Sequence, residues 1–596
     1  MRRGSRVSLA VLFATALLLG GCGERMPQAR RVRVVLEESS AYTAEVYALE
    51  GEAGSSFSFL LHPADGCSVA GCDVPNAYWQ EEMAGTRLVL PEVSYSRQVH
   101  VDVEESGLAI CYHRNDGSGE TVSVSVRRTH LRVNTEAAGG RFIRPGYTLA
   151  GWNTKPDGSG TEVLPGSRVS PEEAHDLYAQ WEAWNPEEDF VFEDYGEGTA
   201  ITGCTAPSRE KLVIPASLSG KPVLCIRDGA FAGAEAGSVV LPESLEVLED
   251  GAFAGAALTE LTLCDTLEKI GGYAFADCEE LSTLRIAAAK APVYAGTYYA
   301  TFPDKMDHLR EGAKEQKIIL FSGSSTRFGY DSPLLEEHFP GYRVFNMGVF
   351  AYTNALPQFD LIRQFAGPGD ILIHTPEFDA AKRQFCTTNR MDAAFFRLVE
   401  EDYALISLLD LRDYTGVFQA LQEFLAGRQG MEGRSYELSP ADFDEDGMSA
   451  PAKTYNEAGD YVLHRENAAD DAPVYGLPVA YTKEAFPRSF LESVNAVYES
   501  FLEKGVRVFF AYAPRNALAV SEETNDASLE ELDAWFAEGL IVPVLGKAKD
   551  SLVPGRLLYG TDNHLSTEGA RLRTLETAQL LQQALEAGNP ASADES

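Results

Sequence analysis

Residues 318–325 read Ile-Ile-Leu-Phe-Ser-Gly-Ser-Ser, four apolar residues followed at once by small polar ones. Four apolar residues closed by a turn cluster predict a short buried strand. The pattern around it alternates. Asp331–His338 reads as a helix, Tyr342–Met347 as a second strand closed by Gly348, 353–365 as a helix, and Asp370–Ile373 as a third strand. After a helical insertion, Val506–Ala511 reads as a strand, with helices near 490–504, 527–539 and 567–586. Strands that alternate with helices imply a parallel sheet covered on both faces. Sites in such sheets gather at the carboxyl ends of the strands. Three residues stand there: Ser325 after the first strand, Gly348 after the second and His374 after the third.

Near the C-terminus the chain reads Tyr559-Gly-Thr-Asp562-Asn-His564-Leu-Ser-Thr-Glu-Gly-Ala570. A serine at a strand-to-helix turn and a late Asp/His pair are the parts of a nucleophilic triad. The imidazole takes the proton from the serine Oγ, and the carboxylate fixes the imidazole tautomer. Each residue also has a plainer reading: Ser325 can cap the next helix, His564 can be a surface histidine and Asp562 a turn residue. As the base, His564 would give an activity that rises with pH around its ordinary pKa of about 6.5.

These blocks resemble the SGNH hydrolases over residues 315–590, in particular the cell-surface O-acyl transferases and esterases. Gly323-Ser324-Ser325 is similar to the first block, Asn346-Met347-Gly348 to the second, and Asp562-x-His564 to the last. The resemblance implies a flavodoxin-like sheet with Ser325 as nucleophile and His564 and Asp562 completing the triad. It also implies an oxyanion held by the Ser325 and Gly348 amides. The third block, Gly-x-Asn-Asp, has no match. Its slot reads His374-Thr-Pro-Glu377-Phe378, so the asparagine donor is not carried over. Asn346, His374 and Glu377 are candidate pocket residues; His374 and Glu377 equally read as residues that only end a strand, and Asn346 is expected to support its turn rather than donate to substrate. The implied activity is ester hydrolysis or O-acyl (acetyl) transfer on acylated saccharides or a cell-wall polymer, without a cofactor. The alternative is a non-catalytic adhesion protein with a degenerate site.

The front half is modular. Asp228-Gly-Ala-Phe231, Asp250-Gly-Ala-Phe253 and Gly272-Tyr-Ala-Phe275 recur every 22 residues, a leucine-rich-repeat period. Residues 190–290 resemble the surface-antigen type of that repeat, which implies a solenoid with a small face that either binds a protein partner or only spaces the next domain from the membrane. Cys278, in the slot of Ala234 and Ala256, is expected to be a packed thiol. Stacked repeats touch only their neighbours, so the C-terminal domain is expected to be spared when the solenoid is damaged. Residues 129–184, with Pro145-Gly-Tyr147, Gly151-Trp152, Asp157-Gly-Ser-Gly160 and Leu177-Tyr-Ala-Gln-Trp181, resemble one Listeria–Bacteroides repeat, a small β-grasp-like module with Trp152 and Trp181 in its core. Residues 22–128 alternate as strands and read as a β-domain of sandwich type.

Arg2, Arg3 and Arg6 precede an apolar run from Val7 to Leu19, and Leu19-Gly-Gly-Cys22 follows. The run is too short to span a bilayer and has the length of a signal-peptide core. The tail resembles a bacterial lipobox, which implies cleavage of residues 1–21, lipidation of Cys22 and an extracytoplasmic protein anchored to the membrane. A formal charge of −39 excludes a general nucleic-acid binder, which needs a basic face. Nine cysteines in 596 residues make no disulfide framework, although Cys67 and Cys72 bracket a four-residue loop and are candidates to pair. No CxxC pair is present, so neither a thiolate zinc site nor any other metal site is expected. Asp442-x-Asp444-x-Asp446-Gly447 copies the start of a calcium loop but has Lys453 at position twelve. It reads as a solvated acidic loop. The aromatic stretch Phe395–Phe424 reads as core of the insertion.

Overall fold

The computed structural model describes residues 31–587, apart from 126–141, 170–175, 430–454, 468–473 and breaks of four residues or fewer. The leader with Cys22 and the acidic loop 442–447 lie outside the described residues.

The first described residues form mostly antiparallel sheets, with one parallel pair between Arg31–Leu36 and Arg97–Val99, around a core of Val34, Phe59, Leu61, Leu88 and Leu90. Cys67 and Cys72 stand at opposite ends of one strand, Cys67–Cys72. An extended strand separates them by roughly 3.3 Å per residue, too far for a bridge. The segment is paired strand, not loop, because residues 67–72 register against Glu105–Val101.

The next sheet crosses the boundary expected at 128/129. Strands Ala109–His113 and Thr121–Ser125 join Tyr147–Asn153, Glu162–Val163 and Asp176–Ala183 in one five-stranded sheet. The core of that module holds Trp152 together with Ile110 and Tyr112 from the first strand, and Trp181 packs at its edge.

The solenoid follows as two sheets whose strands are parallel from one repeat to the next, entered through an antiparallel pair, Phe190–Tyr195 with Gly198–Cys204. The 22-residue period becomes an aromatic ladder: Phe231 stacks on Phe253 at 4.8 Å and Phe253 on Phe275 at 5.3 Å. Backbone bonds from Phe231 N–H to the Ala252 carbonyl and from Phe253 N–H to the Ala274 carbonyl lock adjacent copies. Cys278 is half-buried, its thiol donating to the Phe253 carbonyl, and burial raises its pKa.

The ladder continues into the C-terminal half. Phe418, on helix Val417–Gln429 of the insertion, packs against Phe275 at 4.5 Å. On the same helix, Gln422 accepts the Ile270 N–H at 2.5 Å and Gln419 donates to the Gly272 carbonyl at 2.8 Å. Arg428 pairs with Asp265 at 2.6 Å and Glu400 at 3.0 Å, all three side chains buried. The aromatic insertion is therefore the cap of the solenoid, and one hydrophobic core runs from Phe190 to Ala548. This corrects the expectation of independent modules. The exposed end of a solenoid must be covered, and here the next domain covers it.

The C-terminal sheet is parallel, in the order Tyr342–Asn346, Gln316–Phe321, Ile371–His374, Arg507–Ala511, Val544–Leu545. Numbered along the chain this is 2-1-3-4-5, a doubly wound order whose switch point lies between the first and third strands. The first strand is buried on both faces. Ile318 and Leu320 meet Leu335 and Leu581 from helices on one side, and Ile319 and Phe321 join the large core on the other.

Candidate active site

Ser325 leaves the carboxyl end of the first strand on a four-residue helix, Ser324–Arg327, at the switch point. The turn is tight. A Cβ at Gly323 would lie 2.4 Å from the Ala351 Cβ and 2.6 Å from Glu377 Oε1, so position 323 accepts only glycine. Ser325 is buried, and its Oγ makes no hydrogen bond of standard geometry. Its amide donates to Glu377 Oε1 at 2.8 Å. Burial, then repulsion from Asp379, pushes the Glu377 carboxyl up to about 7, while the Ser325 backbone and side chain moderate the rise.

The second proposed oxyanion amide is also occupied. Gly348 N–H donates to Asn346 Oδ1 at 3.1 Å. A Cβ at Gly348 would meet Arg327 N at 2.6 Å and the Gly323 carbonyl at 2.7 Å, so the two turns touch backbone to backbone. Asn346 is the pin: its amide nitrogen donates to the Thr326 carbonyl at 2.9 Å and to Asp460 Oδ1 at 2.8 Å. Beneath it, the buried Lys305 ammonium donates to the carbonyls of Asn346, Gly348 and Gly459 at 2.7–2.8 Å. Burial, reinforced by Arg327, pulls its pKa well down.

The His564 ring lies face to face on Phe328 at 4.1 Å, one turn beyond Ser325. Burial, with Arg327 and Arg465 nearby, lowers its pKa to about 3, so the imidazole is neutral at physiological pH. Asp562 does not reach it. Its Oδ2 accepts the Tyr475 and Gly476 amides at 3.0 and 2.9 Å, and its Oδ1 accepts from Asn516 at 3.0 Å. The carboxylate is filled by donors from two other loops, and among the described residues no hydrogen bond joins it to His564. Residues 562 and 564 thus look outward to separate partners. The residue between them makes the connection: Asn563 donates to Asp379 at 3.3 Å and to Glu377 at 3.5 Å. Arg515 bonds Asp379 and Asn563 at 3.3 and 3.2 Å.

His374 is not at the surface of the site. It lies among Phe359, Phe385 and Phe510, and its Nδ1 is 2.7 Å from the Tyr498 hydroxyl. Burial alone lowers its pKa to about 3. It belongs to the apolar layer that supports the third strand. Glu377 alone of the third-slot candidates touches Ser325. Asp379, Arg515, Asn516 and Asn563 were not singled out from the sequence. Asp379, two residues past Glu377 on a strand-end loop, carried the only local signal.

Residues 224–302 match the BspA type Leucine rich repeat region in six copies, and residues 109–180 match the Listeria-Bacteroides repeat domain. The second match begins where the five-stranded sheet begins. No curated protein matches the chain. Both repeat types are typical of bacterial surface proteins, and the chain carries both. Among the described residues no helix is long and apolar enough to cross a membrane.

Proposed function

We propose that this is a bacterial surface lipoprotein, anchored through Cys22, whose C-terminal domain is an SGNH-type serine ester hydrolase or O-acyl transferase. The observation that carries this reading is Ser325: a buried serine at the switch point, one turn before Phe328, on whose ring the neutral His564 imidazole is stacked. A serine buried at the end of a central strand, beside an imidazole that burial keeps neutral, has the placement a nucleophile needs. Ser325 Oγ attacks the ester carbonyl while His564 takes the proton and later returns it to the leaving alcohol. The acyl-enzyme is resolved by water or by a sugar hydroxyl. Asp562 acts as a positioning residue through the loop it anchors. Glu377 must yield the Ser325 amide before that amide can hold an oxyanion. Acylated envelope or exogenous saccharides are the substrate class, and the solenoid face takes a protein partner.

One arrangement favours a second reading, a non-catalytic binding protein: Glu377 sits on the Ser325 amide and Asp562 spends its oxygens elsewhere. A fluorophosphonate probe on the folded full-length chain separates the two. Labelling mapped to Ser325 is expected. No labelling, together with no turnover of acetyl esters, would leave only the binding reading.

A further inference from the structure

The strand Ala109–His113 presents its residues alternately. Tyr112 points into the module core against Trp152, ring centroids 4.9 Å apart. Cys111 and His113 therefore share the opposite face. The parallel neighbour, Asp176–Ala183, is in register with Cys111 opposite Asp176 and His113 opposite Tyr178. Asp176 is thus set beside the other two. The Cys111 Sγ, a ring nitrogen of His113 and a carboxylate oxygen of Asp176 all lie within 4.8 Å of one another. His113 Nε2 is 2.7 Å from Asp176 Oδ1. The His113 ring is stacked on Tyr178 at 4.3 Å, which holds it in place. Cys111 is a free, half-buried thiol.

We propose that Cys111, His113 and Asp176 form a transition-metal site that takes a Zn²⁺-class ion. The donor set is one sulfur, one imidazole nitrogen and one carboxylate oxygen, the mixture that suits Zn²⁺ and not Ca²⁺ or Mg²⁺. Bonds of about 2.0–2.3 Å to a central ion fit ligand atoms at this spacing after small side-chain movements. The ligands come from two hydrogen-bonded strands, so the backbone is already in place. Three protein ligands leave a fourth position open toward solvent, on the side where Asp176 is exposed. Binding converts the Cys111 thiol to a metal-bound thiolate and releases its proton to solvent, so affinity rises with pH. No CxxC spacing marks such a site, because its ligands are paired across strands. It shares no residue with the Ser325 site.

The test is a titration of the full-length chain, metal-free and kept reduced, with Co²⁺ and then Zn²⁺. One equivalent of Co²⁺ is expected to give a near-ultraviolet sulfur-to-cobalt charge-transfer band, which Zn²⁺ abolishes by displacement. Cys111→Ser is expected to remove that band. His113→Gln and Asp176→Asn are each expected to weaken Zn²⁺ binding by more than about 100-fold, beyond the range of an outer-shell change. Far-ultraviolet circular dichroism of the three variants checks that they remain folded. The absence of a charge-transfer band in the wild-type chain overturns the proposal. So does a band that survives Cys111→Ser, or Zn²⁺ affinity indifferent to both other substitutions.

Discussion

The solenoid and the Ser325 site are built by opposite means. In the solenoid the central contacts are repeated: Phe231, Phe253 and Phe275 stack face to face, and the same backbone bonds recur one repeat later. In the site every contact is singular. Ser325 meets Glu377, Asn563 bridges to Asp379, and Asp562 is held by Tyr475, Gly476 and Asn516. A repeated contact announces itself as a period. A singular one joins residues tens to hundreds of positions apart and leaves no local trace. The two regions nevertheless share a core, through Phe418 and Arg428.

The largest effect belongs to the singular side. Ser325→Ala or His564→Ala is expected to lower ester turnover by about 10³-fold or more and to abolish probe labelling. The double variant should be scarcely worse than either, because cooperating catalytic groups are non-additive. Additive losses would show that the two side chains do not act as one unit. Next comes the repeated side. Phe253→Ala should cost about 3–5 kcal/mol. Because the core is continuous, the C-terminal domain should lose stability with the solenoid, in one calorimetric transition. Two transitions, with the C-terminal one unmoved, would restore the independent modules that repeat logic alone predicts.

What the sequence made legible follows the same division. The 22-residue period located the phenylalanine ladder, and the alternation of apolar runs located four of the five parallel strands. The fifth, Val544–Leu545, is only two residues long and has no periodic signature. Motif spacing brought Ser325, Gly348 and His564 to one end of the sheet. It did not foresee that Gly348 and Ser325 would spend their amides on Asn346 and Glu377. It placed His374 at the pocket because a strand end is where sites lie, whereas Phe359, Phe385 and Phe510 close over it. The domain boundary at 128 failed for a related reason. Strands such as Thr121–Ser125 alternate identically whichever sheet they join, and only pairing assigns them.

A third experiment concerns the seat taken by Glu377. A carboxylate beside the Ser325 amide repels a developing oxyanion, whereas the protonated form does not. With the carboxyl raised to about 7, turnover is expected to fall as pH rises through that value. The ordinary histidine limb near 6.5 should be missing, because His564 is neutral down to about 3. Glu377→Gln keeps the shape, removes the charge and should flatten the profile between pH 6 and 8, by roughly tenfold at the alkaline end. That is less than the 10²–10³ attributed to a whole oxyanion donor. A profile in Glu377→Gln that still falls through 7 would assign the limb to another group.

The smallest effect separates the supporting histidine from the reacting one. His374 and His564 each have a folded pKa near 3, against 6.5 for a free imidazole. Between those values the unfolded chain takes a proton that the folded chain refuses. Stability is therefore intact above 6.5 and falls as the pH drops toward 3, by at most about 1.4 kcal/mol per pH unit for each ring. Glu377 works against this between 7 and its ordinary 4.5, since its folded form retains a proton that the unfolded form gives up. Asp402, raised by burial to about 6, opposes it in the same way down to its ordinary 3.8, so the histidine slope is read below 3.8. The double variant His374→Phe with Tyr498→Phe removes one ring and its hydroxyl partner together, so no buried polar group is left unpaired. Denaturant unfolding at pH 7 should then change little, while the acid slope should lose the share of one histidine. Turnover at pH 7 should stay near wild type, because His374 only supports the third strand. A large loss of turnover with an unchanged acid slope would move His374 out of the core layer and into the chemistry, and with it the contrast between repeated support and singular site.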